Sequence, residues 1–253
     1  MSVVALQIRE GYCLLAGDGV CTDPDTGHVA GYLSKITAMP DLDCAFAITG
    51  IGGFNYAIQW NMPRWVSNFD DFVEALPSLV HRTHLQMRLD KMIRGTDDRV
   101  NVMAAGWSTR EERFKAVRVV SYEKGSTNLE TGQAETLKPF VAYEFASGGL
   151  WMSAAPTPKN MELFGLSEPI EGESDLDTMT RAICAARASS GMVSDEGREY
   201  RYNAGGFVQL AMVQRGSVQT WVPHRWPEDE VDEPIRPELG APLPDHLPLV
   251  EAT

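Results

Sequence analysis

The order of strand-forming and helix-forming segments constrains this chain most. Residues 3–8 form an apolar run with β-branched side chains, Glu10-Gly11 is a turn signal, and residues 12–16 form a second apolar run. This predicts a β-hairpin at the N-terminus, ended or bulged by Gly17-Asp18-Gly19. Asp23-Pro24-Asp25-Thr26-Gly27 has strong turn chemistry. Cys44–Thr49 reads as a short buried strand leading into Gly50-Ile51-Gly52-Gly53. A helix is predicted over 70–93, with Phe72, Leu76, Leu79, Thr83 and Met87 at helical spacing and Pro77 set to kink it or delay its start. Residues 100–107, 114–121 and 139–145 read as strands. A second helix is predicted over 175–190, capped by Ser174 and ended by Gly191. Phe207–Gln214 and residues 217–222 close the pattern as a hairpin around Arg215-Gly216. This order is not a strict βαβ alternation. It implies an α+β class, with antiparallel sheets and helices segregated outside them.

Composition narrows the function classes. Lys plus Arg is 22 and Asp plus Glu is 35, a net charge of −13, and no basic patch suited to nucleic acid or an anionic membrane is visible. Neither a membrane-spanning run nor a signal-peptide pattern is evident, so a cytoplasmic location is expected. The acidity is uneven. Residues 223–253 hold eight acids, two bases and seven of the fifteen prolines. They read as an extended acidic tail, or one that docks on a neighbour, beyond a folded body of 2–222. Cys13, Cys21, Cys44 and Cys184 match no zinc spacing, and His81 and His84 have no third ligand nearby, so no metal or other cofactor is expected.

Ser2 directly follows the initiator Met, whose removal would leave a serine with a free α-amine. Such a residue joins nucleophile and base: its oxygen attacks while its own amine, with an intrinsic pKa near about 8, takes the proton. The chemistry also needs a nearby cation, an acid to fix that cation, and backbone N–H groups for the oxyanion.

The stretch Ser2-Val3-Val4-Ala5-Leu6, with Gly11 and then Leu15-Ala16-Gly17-Asp18-Gly19, resembles the start of proteasome β-subunits and related bacterial peptidase subunits. The resemblance implies a four-layer α/β/β/α sandwich, the N-terminal nucleophile hydrolase fold. It implies Ser2 as nucleophile in place of the usual threonine, Lys35 in Ser34-Lys35-Ile36 as the cation, and Asp18 as the group orienting it. Gly50 matches the oxyanion-hole glycine. Ser147 in Ala146-Ser147-Gly148-Gly149 matches a serine beside the nucleophile. Thr22 falls near the substrate-backbone position, and Cys21 and Ile48 fall at the pocket walls.

Each residue also has a plainer reading. Asp18 can form a turn, Lys35 can be solvated, Gly50 can serve a strand-to-helix turn, and Ser147 can cap a helix. The family's D-x-x-S-G motif is absent. Arg201-Tyr202-Asn203-Ala204-Gly205-Gly206 stands there, and neither Asn203 nor Asp195 is assigned its role. Pro156 and Pro158 are expected to interrupt the helix after Gly149. Segments 86–138 and 223–253 exceed compact family members.

The resulting expectation is an N-terminal-serine amidohydrolase that cleaves peptide bonds after loss of Met1. The alternatives are a small-amide acylase on the same fold, or a non-catalytic assembly or binding protein. The expected partners are a peptide or amide substrate and further copies in a homo-oligomeric ring, with the ATPase partner open and neither nucleic acid nor membrane.

Overall fold

The computed structural model describes residues 2–23, 26–93, 98–127, 134–168, 170–189 and 204–235. In chain order the elements are β1 (Val4–Ile8), β2 (Cys13–Asp18), β3 (Val20–Thr22), β4 (Val29–Tyr32), β5 (Ile36–Met39) and β6 (Cys44–Thr49), then α1 (Phe54–Trp60) and α2 (Phe69–Leu89). They continue with β7 (Asn101–Ser108), β8 (Arg113–Val120), β9 (Lys124–Thr127), β10 (Ala134–Leu137), β11 (Ala142–Glu144) and β12 (Leu150–Met152). Last come α3 (Pro158–Leu163), α4 (Asp175–Ala188), β13 (Phe207–Gln214) and β14 (Ser217–Arg225).

Two five-stranded antiparallel sheets result, in the orders β12-β1-β2-β13-β14 and β11-β8-β7-β6-β5. Side-chain alternation builds the layers. In β6, Ala45 and Ala47 meet the opposite sheet, while Phe46 and Ile48 pack with Phe54 of α1 and with Phe72, Leu76 and Leu79 of α2. In β1, Val4, Leu6 and Ile8 face the other sheet, and Ala5 packs on the side of Met179 and Ile183 of α4. Both sheets are thus buried on two faces, so their central strands carry unbroken apolar runs. The sandwich is the four-layer α/β/β/α arrangement.

The predicted hairpins, the β6 strand and both main helices form close to their expected limits. Pro77 lies inside α2 without ending it. Each large apolar side chain buried on that helix contributes about 1.5–3 kcal/mol, enough together to offset the lost backbone bond. Ser174 caps α4 by accepting from the Asp177 amide, while Gly191 lies outside the described residues.

Two expectations need correction. Pro158 does not interrupt a helix but opens α3, behind a Thr157 cap that accepts from the Asn160 amide; proline suits this first turn because no backbone bond is lost there. Residues 223–235 do not leave the body. Residues 223–225 belong to β14, Trp226 packs among the residues of α4, and Ile235 is buried with Val20 and Val29. The apolar content of this stretch offsets its acidity. Residues 236–253 lie outside the described ones. None of the described helices is long and apolar enough to cross a membrane.

Candidate active site

Asp18 closes β2 and is fully buried. A carboxylate there must have its lone pairs met. The Val3 amide donates to Oδ1 at 2.8 Å. Oδ2 accepts from Lys35 Nζ at 2.5 Å, from the Val20 amide at 3.2 Å and from the Gly205 amide at 3.3 Å. The Asp18 amide in turn donates to the Val3 carbonyl at 3.2 Å. The carboxylate therefore joins the residue after Ser2, the Lys35 segment, the start of β3 and the entry to β13.

Lys35 is only 5% exposed, so it is not a solvated loop lysine. Its neighbours are held from several sides. The Ile48 amide donates to the Lys35 carbonyl at 3.0 Å, and Asn55 of α1 donates to the Ser34 carbonyl at 3.1 Å and to Thr37 Oγ1 at 3.2 Å. Gln209 of β13 exchanges hydrogen bonds with the Ile36 backbone. An ammonium has three donors. Among the described residues its one acceptor is Asp18.

Ser2 enters β1 directly beside this pair and is half-buried. The serine that the structure sets next to it is Ser153. Ser153 Oγ donates to the Ser2 carbonyl at 3.3 Å and accepts from the Val4 amide at 2.9 Å, and the Ser153 amide donates to the Val4 carbonyl at 2.8 Å.

Ser147 is not there, which corrects the motif-based assignment. It is exposed on the turn between β11 and β12, where the Gly148 amide donates to the Ile8 carbonyl at 3.4 Å. Because β12 runs antiparallel to β1, with Leu150 opposite Gln7 and Met152 opposite Ala5, the Ser147 turn meets the far end of β1. Six residues at ~3.3 Å each put it roughly 20 Å from Ser2. A signal for Ser153 was present in the sequence: a short apolar segment, Leu150–Met152, then serine, then a Thr-Pro helix start.

The remaining predicted residues fall as follows. Gly50 follows β6 with φ of +109°, and a Cβ there would lie 1.9 Å from the Arg99 carbonyl oxygen; only glycine fits this turn. Ile48 is buried among Phe46 and Phe54, and what it brings toward Lys35 is its backbone amide. Cys21 on β3 has its sulfur 3.4 Å from where a Gly52 Cβ would stand. Burial pushes its thiol pKa up, opposed by the Lys35 charge. Thr22 pairs with Val29 at a bulge. Asn203 and Asp195 lie outside the described residues. Among the described residues, no three His, Cys, Asp or Glu side chains gather as a metal-ligand set.

Sequence reasoning missed a clasp behind Asp18. Arg187 of α4 is 3% exposed. It binds Asp229 through two bonds of 2.7 and 2.8 Å, the Ala204 carbonyl at 3.1 Å and Glu228 at 3.0 Å. Its guanidinium also lies over the Trp226 ring, 4.5 Å from the centroid. Asp229 Oδ2 accepts from the Gly206 amide at 2.6 Å. A Cβ on Gly205 would stand 2.4 Å from that same oxygen. The clasp thus fixes Gly205-Gly206, and the Gly205 amide donates to Asp18. The pairing partners lie 42 residues apart, and Asp229 sits in a stretch that composition marks as tail.

No protein-family profile and no curated protein matches the sequence. Among solved structures, Anbu (ancestral beta-subunit) from Yersinia bercovieri is similar, with a TM-score of 0.51 and 11% identity over 90% of this chain and 88% of that one. At this identity the likeness shows the fold alone, and the fold is proteasome-like.

Proposed function

We propose that this chain is an N-terminal-serine amidohydrolase of the proteasome-like type, cleaving peptide bonds once Met1 is removed. The observation that carries the reading is the buried Lys35, held by Asp18 beside residues 2 and 3 and using one of its three donors there. A buried cation with donors in hand is suited to stabilise an attacking oxygen and an oxyanion.

In this reading the Ser2 oxygen attacks the carbonyl carbon of the substrate amide. Its proton passes to the Ser2 α-amine and then to the leaving amine as the C–N bond breaks. Water hydrolyses the resulting ester and restores Ser2. Asp18 orients Lys35, the Gly50 amide serves the oxyanion, and Ser153 rather than Ser147 fixes the backbone at the nucleophile. Cys21 and Thr22 are the residues proposed for the substrate side; Ile48, whose side chain is buried in the core against α1 and α2, contributes its backbone amide to the Lys35 segment and not a pocket wall. Further copies of the chain are proposed to assemble with it, as proteasome-like proteins do, in a ring.

The test begins with mass spectrometry of the native N-terminus, where loss of Met1 is expected. A peptide epoxyketone should then modify Ser2 through both its hydroxyl and its amine, and the Ser2→Ala variant should neither react nor hydrolyse peptides. Quantitative retention of Met1 overturns the mechanism. An unmodified, correctly exposed Ser2 would favour a non-catalytic assembly role for the fold.

A further inference from the structure

An apolar surface that the Ser2 site does not use lies on the helical layer outside it. A groove of about 980 Å³ runs between α1 and the C-terminal half of α2. Five large apolar side chains on it are exposed: Tyr56 at 52%, Trp60 at 91%, Leu85 at 50%, Leu89 at 69% and Met92 at 62%. Single exposed apolar residues need no explanation, but such residues gathered along one groove mark a binding surface. Two are aromatic, a lining that suits proline-rich extended peptides.

We propose that this groove is the docking site for residues 236–253 of the same chain. The chemistry of the two surfaces matches. Residues 236–253 carry four prolines at 237, 242, 244 and 248, and four leucines at 239, 243, 247 and 249. Prolines preset the extended conformation and lower the entropy lost on docking. The leucines supply what aromatic and aliphatic walls accept. The segment also holds three acids, Glu238, Asp245 and Glu251, against one Arg236. The groove itself is lined by one cation, Arg82, and one anion, Asp90, so its recognition of the segment rests on apolar contact rather than on charge.

Position and reach agree with the same chain as donor. The segment departs from Ile235, which is buried against Val20 and Val29. The next residue of that strand, Cys21, lies against Gly52, and Gly52 lines the near end of the groove. Eighteen residues span roughly 55 Å at ~3.1 Å each in extended form. The whole of α2, 21 residues, is only about 32 Å long. The chain therefore covers the groove without strain, and an intramolecular segment has a high effective concentration there.

The experiment uses the full chain and does not depend on hydrolytic activity. Hydroxyl-radical footprinting with mass spectrometry reads Trp60 and Met92 as reporters and buried Trp226 as a control. In the Leu243→Asp/Leu247→Asp double variant, oxidation of Trp60 and Met92 is expected to rise severalfold over the unmodified chain, with Trp226 and the urea midpoint unchanged. Protection in the unmodified chain should persist through about a hundredfold dilution, because docking in cis is independent of concentration. Equal oxidation in chain and variant overturns the proposal. So does protection that disappears on dilution as light scattering records dissociation, since another copy would then be covering the groove.

Discussion

Two buried ion pairs sit within one hydrogen-bonded chain of this molecule, and they are built differently. Arg187 spends its donors on Asp229, Glu228 and a carbonyl and lies over a Trp ring. Lys35 has a saturated partner in Asp18, yet its own ammonium has one acceptor among the described residues. The difference follows from the side chains. A guanidinium is a planar fork that can be satisfied completely, while an ammonium is a compact point charge with donors in three directions. A pair in which both terminal nitrogens of the guanidinium are engaged, as in Arg187, holds structure. A buried cation with donors left over suits a reaction site. The two are linked, because Asp229 anchors Gly206 and the adjacent Gly205 amide reaches Asp18.

Of the two pairs, the clasp is where disruption is expected to cost most. Asp229→Ala leaves Arg187 buried without its main partner and is expected to cost about 3–5 kcal/mol, read as a lower urea midpoint. A loss below 1 kcal/mol would mean that the clasp is peripheral.

The converse change is Lys35→Met. Asp18 keeps its three amide donors, so the stability loss should stay within about 1–3 kcal/mol, while the rate of Ser2 modification by the epoxyketone falls about 10²–10³-fold. A Lys35→Met chain that reacts like the unmodified one would remove Lys35 from the mechanism.

Smaller effects separate the two serines. Ser153→Ala strands the Val4 amide and should cost about 1–3 kcal/mol with slower Ser2 modification. Ser147→Ala, on an exposed turn, should stay within about 0.5 kcal/mol and leave the rate unchanged. The reverse ranking would restore the motif-based assignment.

The smallest effect expected is a pH dependence of the clasp. Burial holds the His224 imidazole below its ordinary pKa, with Glu228 opposing, and its ring packs edge-on against Trp226. A histidine whose folded pKa is depressed binds its proton more readily when unfolded. Its contribution is therefore complete above the unfolded value of about 6.5 and is lost as pH falls from there through the folded value. Urea midpoints at pH 7.5 and 5.5 should show less acid sensitivity for His224→Gln than for the unmodified chain; equal sensitivity would assign it to other groups.

Much of the fold was legible in the sequence. Alternation and apolar runs marked the two hairpins and β6, and helical spacing marked α2 and α4, because these signals lie within one element. Short strands such as β3, β4 and β12 carried too few residues to show a period. Helix α1 was hidden behind the Gly50–Gly53 turn.

The site was partly legible. Asp18 and Lys35 are 17 residues apart, close enough for hairpin order to suggest their meeting. Ser153 lies 151 residues from Ser2, and Gly205 lies 187 from Asp18, beyond the reach of any local pattern.

The α+β order, the central strands and the spacing of Ser2, Asp18 and Lys35 are written in the order of the residues, since local propensity and side-chain period act over a few residues. Tertiary packing selected the serine that stands beside Ser2, because the antiparallel register of β12 on β1 sets which end of the strand each serine reaches. It also decided that residues 223–235 belong to the body. Their acids count as tail charge until Arg187, from a distant helix, turns one of them into a buried anchor.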